Sequence, residues 1–216
     1  ALLSSPSILL MDEPMAGLDL QRKFEILPFI EKINRHFHLP IIYVSHDLDE
    51  VIRLADEAGL VIEGVINGLS PVEHLTNHTQ FHDIVSGENL VTILQGEAIG
   101  TQGKLGLSEV KTPAGLFLLP RSDLPKGEKI RLRLNATDIS IATEKPRNLS
   151  ILNVIPGSIE SIQEVGQATV SVAIQTASPS IIHAQITKHA RESLSLKEGK
   201  LVFALVKSVA IDRFDQ

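Results

Sequence analysis

The chain has 216 residues, 43% of them hydrophobic but only 4% aromatic, enough for one or two domains packed mainly with Leu, Ile, Val and Ala. Its 20 basic and 26 acidic residues leave a net charge of −6, which argues against a broad basic surface for nucleic acid. There is no cysteine and hence no disulfide, and no apolar run approaches the roughly 18 residues that a membrane-spanning helix needs.

The chain opens on Ala1, with neither an initiator Met nor a leader, and is expected to be a cut end. Ile8 to Met11 is an apolar run between Ser4-Ser5-Pro6 and Asp12-Glu13-Pro14, the pattern of a buried strand that ends at a functional loop. From Leu20 the positions Leu20, Phe24, Leu27, Ile30, Ile33 and Phe37 recur at three- and four-residue steps and predict a helix with one apolar face, bent at Pro28. Ile41 to Val44 predicts a second strand. Ser45-His46-Asp47 follows, and then a helix marked by Leu48, Val51, Ile52 and Ala55, on which Asp47 and Glu50 are spaced for a reciprocal cap. Strand, helix, strand, helix implies a right-handed crossover and a parallel sheet. Leu60 to Ile62 and Val65-Ile66 around Glu63-Gly64 predict a hairpin.

After about Ser86, Gly, Pro and Ser become frequent and short alternating runs such as Ile130 to Leu134 predict β structure. A weak repeat runs through it at the 72-residue step from Gly127 to Gly199, matching Leu124, Ile130, Leu132, Leu134, Ala136 and Ile139 to Leu196, Val202, Ala204, Val206, Ser208 and Ile211. Two related small barrels would explain it, as would chance likeness between strands that follow a Gly turn. Lys145 to Asn148 is the expected boundary between the halves. His78 with His82, and His36 with His38, read as ordinary helix histidines rather than metal ligands.

The segment from Ile8 to Pro14, with Ala16-Gly17-Leu18-Asp19 and Tyr43-Val44-Ser45-His46-Asp47 in that order, resembles the ATPases of ABC transporters. The resemblance implies an α/β P-loop NTPase remnant with a parallel sheet, in which the first strand is Walker B, Ala16 to Asp19 the D-loop and His46 the switch histidine. Carried over by position, Asp12 would hold Mg²⁺ of ATP through water, Glu13 would polarise the attacking water, Asp19 would belong to the nucleotide-binding set, and His46 would contact the γ-phosphate. Those residue types suit the roles: a hydrated Mg²⁺ takes carboxylate oxygen, and phosphoryl transfer relies on positioning and charge. Neither Gly-x-x-x-x-Gly-Lys-Ser/Thr nor Leu-Ser-Gly-Gly occurs in the chain, and in that family both precede the Walker B strand. The chain is therefore expected to be a fragment that is inactive alone.

Ser150 to Val154, Ala184 to Thr187, Leu196 to Gly199 and Ala204 to Val209 resemble the Mop domain of molybdate importer ATPases. That implies all-β, OB-like small barrels and an oxyanion site carried by Ser150, Thr187, Lys207 and Ser208, with molybdate as ligand. The sequence departs from the pattern at Leu152, where the family often has Arg, and at Val209, where oxyanion-storing relatives often have Ser. The expected division is 1–85 for the ATPase part, 86–146 for a linker or first barrel, and 147–216 for the Mop/TOBE-like domain. The implied partners are an identical ATPase subunit, membrane permease subunits and, indirectly, a periplasmic or extracellular molybdate-binding protein, at the cytoplasmic face of the bacterial inner membrane. Two alternatives stand beside this: a non-catalytic molybdate- or tungstate-binding regulator, and an importer ATPase for sulfate, iron or sugar.

Overall fold

The computed structural model describes residues 6–77, 81, 90–102, 106–121, 123–178, 180–208 and 211–215; His78, His82 and Val209 lie outside them. The chain forms two compact units, Ala1–Val72 and Glu73–Gln216, and most of its regular structure is β.

In the first unit, β1 (Leu9–Asp12) and β2 (Ile41–Val44) pair in parallel, Leu9 opposite Ile41 and Asp12 opposite Val44. The crossover between them is helix α1 (Leu20–Phe37), started by Asp19, whose carboxylate accepts the Arg22 N–H at 2.9 Å. Pro28 sits inside α1 without ending it, and the helix stops at His38 in a left-handed conformation. Met15, Leu27 and Ile30 are buried, with Met11, Leu18, Ile41, Tyr43 and Leu54 packed against them. Phe37, expected on the apolar face, is instead exposed in the last turn of the helix. Alternation along the strands sends Leu10, Ile42 and Val44 to the other face, where they are exposed. Helix α2 (Leu48–Leu54) follows, and β3 (Glu57–Ile62) with β4 (Val65–Pro71) make the expected hairpin. Glu63 and Gly64 both have positive φ at its tip, as a two-residue turn of right-handed twist demands.

The second unit holds two five-stranded antiparallel sheets. One contains β5 (Val91–Gln102), β6 (Leu107–Thr112), β7 (Gly115–Leu119) and β8 (Lys129–Asn135). The other contains β10 (Asn153–Glu164), β11 (Thr169–Thr176), β12 (Ile181–Thr187) and β13 (Leu201–Val206), with the short helix α3 (Lys188–Ser193) between β12 and β13. Each sheet takes its fifth strand from the other half of the sequence. The strand after β8, β9 (Ile139–Ala142), pairs with β13, and the strand after β13, β14 (Ile211–Asp215), pairs with β8.

The repeat read from the sequence is present, register by register. Val206 faces Ile139 as Leu134 faces Ile211, each residue 72 positions from its counterpart. Gly127 N–H donates to the Ala98 carbonyl at 2.7 Å, and Gly199 N–H to the Ile159 carbonyl at 2.8 Å. The bulges after Ala98 and after Ile159 coincide as well, although this part of the repeat is spaced by 61 residues. Matched positions are buried together: Leu124 with Leu196, Ile130 with Val202, Leu132 with Ala204, Leu134 with Val206. One continuous apolar cluster holds both sheets, from Leu94, Val110 and Phe117 to Ile159, Val172 and Ile182.

Candidate functional site

The first cluster of candidate residues forms where β1 and β2 end side by side. Asp12 is exposed at the last position of β1, opposite Val44. Glu13 continues the pairing by donating its N–H to the Val44 carbonyl at 2.9 Å, and then turns with φ 43°, a left-handed conformation uncommon for a residue with a Cβ. That turn directs its carboxylate to the loop after β2. Glu13 Oε1 accepts the His46 backbone N–H at 2.9 Å and lies 2.7 Å from His46 Nδ1. The hydrogen bond and charge of Glu13 raise the His46 pKa above its ordinary value, although the ring is largely open to solvent. Asp19 stands apart as the cap of α1, exposed and 3.5 Å from the Arg22 guanidinium.

Five residues form a network behind His46: Tyr43, Ser45 and Asp47 belong to the motif around it, Glu50 was expected only as a cap partner, and Lys23 belonged to no motif. Lys23 on α1 donates to Asp47 Oδ2 at 2.6 Å and lies 2.7 Å from Glu50 Oε1. Glu50 Oε2 accepts from the Tyr43 hydroxyl at 2.7 Å and from the Ser45 hydroxyl at 2.8 Å. The reciprocal cap expected between Asp47 and Glu50 is therefore only half made. Asp47 caps α2 by accepting the Asp49 N–H at 3.0 Å, but its own N–H goes to Ser45 Oγ, because Glu50 is drawn inward by Lys23, Tyr43 and Ser45. The hydrogen bonds that Lys23 donates to Asp47 and Glu50 hold its ammonium well above its usual range. Burial first, then the Glu50 carboxylate, pushes the Tyr43 hydroxyl up. Burial works against the Asp47 carboxylate, yet the Lys23 hydrogen bond overrides it and lowers the pKa. The motif around His46 and the spacing of Asp47 and Glu50 were the signals in the sequence; Lys23 had none, since a Lys beside an apolar stripe usually faces water.

Among the described residues there is no group of three or more His, Cys, Asp or Glu side chains placed to hold a metal ion. A single exposed carboxylate such as Asp12 suits only a cation that keeps most of its water and shares its remaining bonds with another ligand, which is the habit of Mg²⁺.

The second cluster lies in the second unit. Asn153, 1% exposed, donates through Nδ2 to Ser208 Oγ at 3.1 Å and to the Leu118 carbonyl at 3.2 Å, and accepts the Leu118 N–H at 2.7 Å. Because Asn153 opens β10 opposite Val206, the exposed Ser150 and Lys207 share this end of the sheet with Ser208. Thr187 does not join them. It pairs with Thr169 at the far end of the same sheet, on the order of 30 Å along an extended strand, and its hydroxyl caps α3 by accepting the Ala190 N–H at 3.0 Å. The Thr92 hydroxyl accepts the His183 N–H at 2.9 Å, a bond from β5 to β12 that mirrors the one from Asn153 on β10 to Leu118 on β7.

Residues 149–212 match the family model of the TOBE domain. The chain is 40% identical, over 99% of its length, to the molybdenum import ATP-binding protein ModC of Rhodospirillum rubrum, and 39% identical over 100% of its length to that of Paramagnetospirillum magneticum. With the ModC of Vibrio cholerae it shares 34% over 100% of its length. The chain spans 59%, 59% and 60% of these relatives, in the same order. A solved structure of the cytoplasmic molybdate-binding protein ModG superposes with a TM-score of 0.52 at 18% identity, over 58% of this chain and 96% of that one, so that part of the chain shares its fold.

Proposed function

We propose that this chain, a relative of the molybdenum import ATP-binding proteins along nearly all its length, belongs to the ATP-binding subunit of an ABC importer that couples ATP hydrolysis to molybdate uptake. The observation that carries the reading is the double contact of Glu13 Oε1 with His46, beside the exposed Asp12, at the ends of two parallel strands. That is the arrangement expected where a terminal phosphate is cut: one carboxylate for the hydrated cation, a second for the attacking water, and an imidazole to read the phosphate. In this reading residues 1–85 are the remnant of an α/β P-loop NTPase, 86–146 the first barrel, and 147–216 the Mop/TOBE-like domain.

Asp12 would hold Mg²⁺ through water, which would offset the negative charge of the phosphates. Glu13 contacts His46 through Oε1 and would orient a water molecule through its carboxylate. While paired with Glu13, His46 has its pKa raised, which favours the doubly protonated ring that could give its second N–H to a phosphate oxygen. Asp19 would extend the set by fixing the start of α1. Ser150, Lys207 and Ser208 would supply a hydroxyl, an ammonium and a second hydroxyl to an oxyanion such as molybdate, and Thr187, at the other end of the sheet, would join them only from another copy of the chain.

The partners of this reading are a second identical subunit, membrane permeases and, indirectly, a periplasmic or extracellular molybdate-binding protein. Its place is the cytoplasmic face of the membrane, as a peripheral protein; no helix among the described residues is long and apolar enough to cross a membrane. The test is molybdate uptake by cells whose only copy of the gene carries Glu13→Gln. Uptake should fall by roughly two orders of magnitude, as expected for the loss of a positioned base. Undiminished uptake overturns the reading.

A further inference from the structure

Glu50 is 3% exposed, and both its oxygens are used, Oε1 by Lys23 and Oε2 by Tyr43 and Ser45. A buried ion pair adds little stability compared with apolar side chains of the same volume, so its value lies in the geometry that it enforces. It is not needed to dock the helices of the first unit. Leu27, Ile30 and Leu54 pack there, and Arg53 Nε on α2 meets Glu31 Oε1 on α1 at 2.5 Å. What depends on Lys23 is the loop. Its ammonium holds Asp47 Oδ2 and Glu50 Oε1 together, Glu50 holds Ser45 Oγ, and Ser45 Oγ in turn takes the Asp47 N–H. His46 sits between the two fixed residues, with its N–H on Glu13.

We infer that Lys23 is a positioning residue: by gripping Asp47 and Glu50 at once from α1, it holds the Ser45-His46-Asp47 loop in the geometry that brings His46 onto Glu13. As a statement about ATP hydrolysis this rests on the reading of Glu13 and His46 given above. As a statement about loop geometry it stands without nucleotide.

The test is amide hydrogen exchange at His46, followed by NMR on the nucleotide-free chain. In Lys23→Met the His46 N–H should exchange roughly tenfold faster, while the amides of Leu27 and Ile30 in α1 stay within about twofold of wild type, because only the loop has lost its anchor. Lys23→Arg should recover the slow rate, since a guanidinium can also donate to two carboxylates. Ser45→Ala, which cuts the loop from Glu50 and leaves Lys23 in place, should accelerate His46 in the same way and carries the test if Lys23→Met does not fold. An unchanged His46 rate in either variant, equal acceleration at Leu27 and Ile30, or no recovery in Lys23→Arg overturns the inference. Accelerated exchange in Lys23→Met, together with undiminished uptake in Glu13→Gln, would keep the loop anchor and remove the nucleotide reading.

Discussion

Glu13 holds His46 by two nitrogens at once, the backbone N–H at 2.9 Å and Nδ1 at 2.7 Å, both on the single oxygen Oε1. The imidazole therefore titrates above its ordinary value of 6.5. Replacing Glu13 by Gln should bring the His46 midpoint down toward that value in an NMR titration of the ring protons. The sign for stability follows from the raised pKa: the pair stabilises the fold below about pH 6.5, and this contribution is lost as pH rises through the folded-state value. Because the ring is exposed and screened, the loss should be small, and it should disappear altogether in Glu13→Gln. A His46 midpoint that is the same in both proteins would contradict the pairing.

Gly96 and Gly157 occupy matched places in the repeat, but they should not tolerate a methyl group equally. A Cβ at Gly96 would come 2.5 Å from Val110 Cγ1 and 3.1 Å from Thr112 Cγ2, both side-chain atoms, with backbone no nearer than the Lys111 carbonyl oxygen at 3.3 Å. At Gly157 it would come 2.6 Å from the Gln175 carbonyl oxygen and 2.6 Å from Ile174 Cγ2, and the backbone atom cannot move without disturbing the β10–β11 ladder. Gly157→Ala should cost on the order of 3 kcal/mol and Gly96→Ala about 1 kcal/mol, read from urea denaturation.

Asn153→Ala should destabilise the second unit by about 2–3 kcal/mol in the same measurement, because it removes the partners of both polar groups of Leu118 inside a nearly dry site. Asn153→Asp should be nearly as damaging. Its carboxylate can still accept the Leu118 N–H but has no donor for the Leu118 carbonyl or for Ser208.

Equilibrium dialysis with molybdate should separate the oxyanion candidates. Lys207→Ala should weaken binding at least about tenfold through the loss of a charged donor. Thr187→Ala should leave it unchanged and cost about 1 kcal/mol of stability through the α3 cap. Equal binding by wild type and Lys207→Ala would remove Lys207 from the site.

The parts of the molecule legible in the sequence were those in which a local pattern decides the outcome. The strand near Ile8 to Met11, the stripe of Leu27 and Ile30, the Glu63-Gly64 tip and the Asp47 cap are each settled within a few residues of chain, and the structure has them, although the strand expected to be buried leaves Ile8 and Leu10 exposed. The likeness to the molybdenum import ATP-binding proteins was legible too, because several motifs stood in a fixed order. The Lys23–Glu50 network was not, since it joins residues 27 apart whose types alone suggest solvent. Nor was the separation of Thr187 from Ser208, which depends on the register of β12 against β11. The exchange of β9 and β14 was hidden for a related reason: the repeat tells which strands are alike, not which half of the chain supplies their neighbours.

That exchange makes the two halves of the second unit hostages to each other during synthesis. Leu134 emerges from the ribosome long before Ile211, the residue that it must pair with, so the first half waits with an open edge until the last strand arrives. Maturation of this unit should accordingly be late and all-or-none rather than stepwise, and clipping the chain ahead of Ile211 should injure the earlier-made of its two sheets rather than the later one.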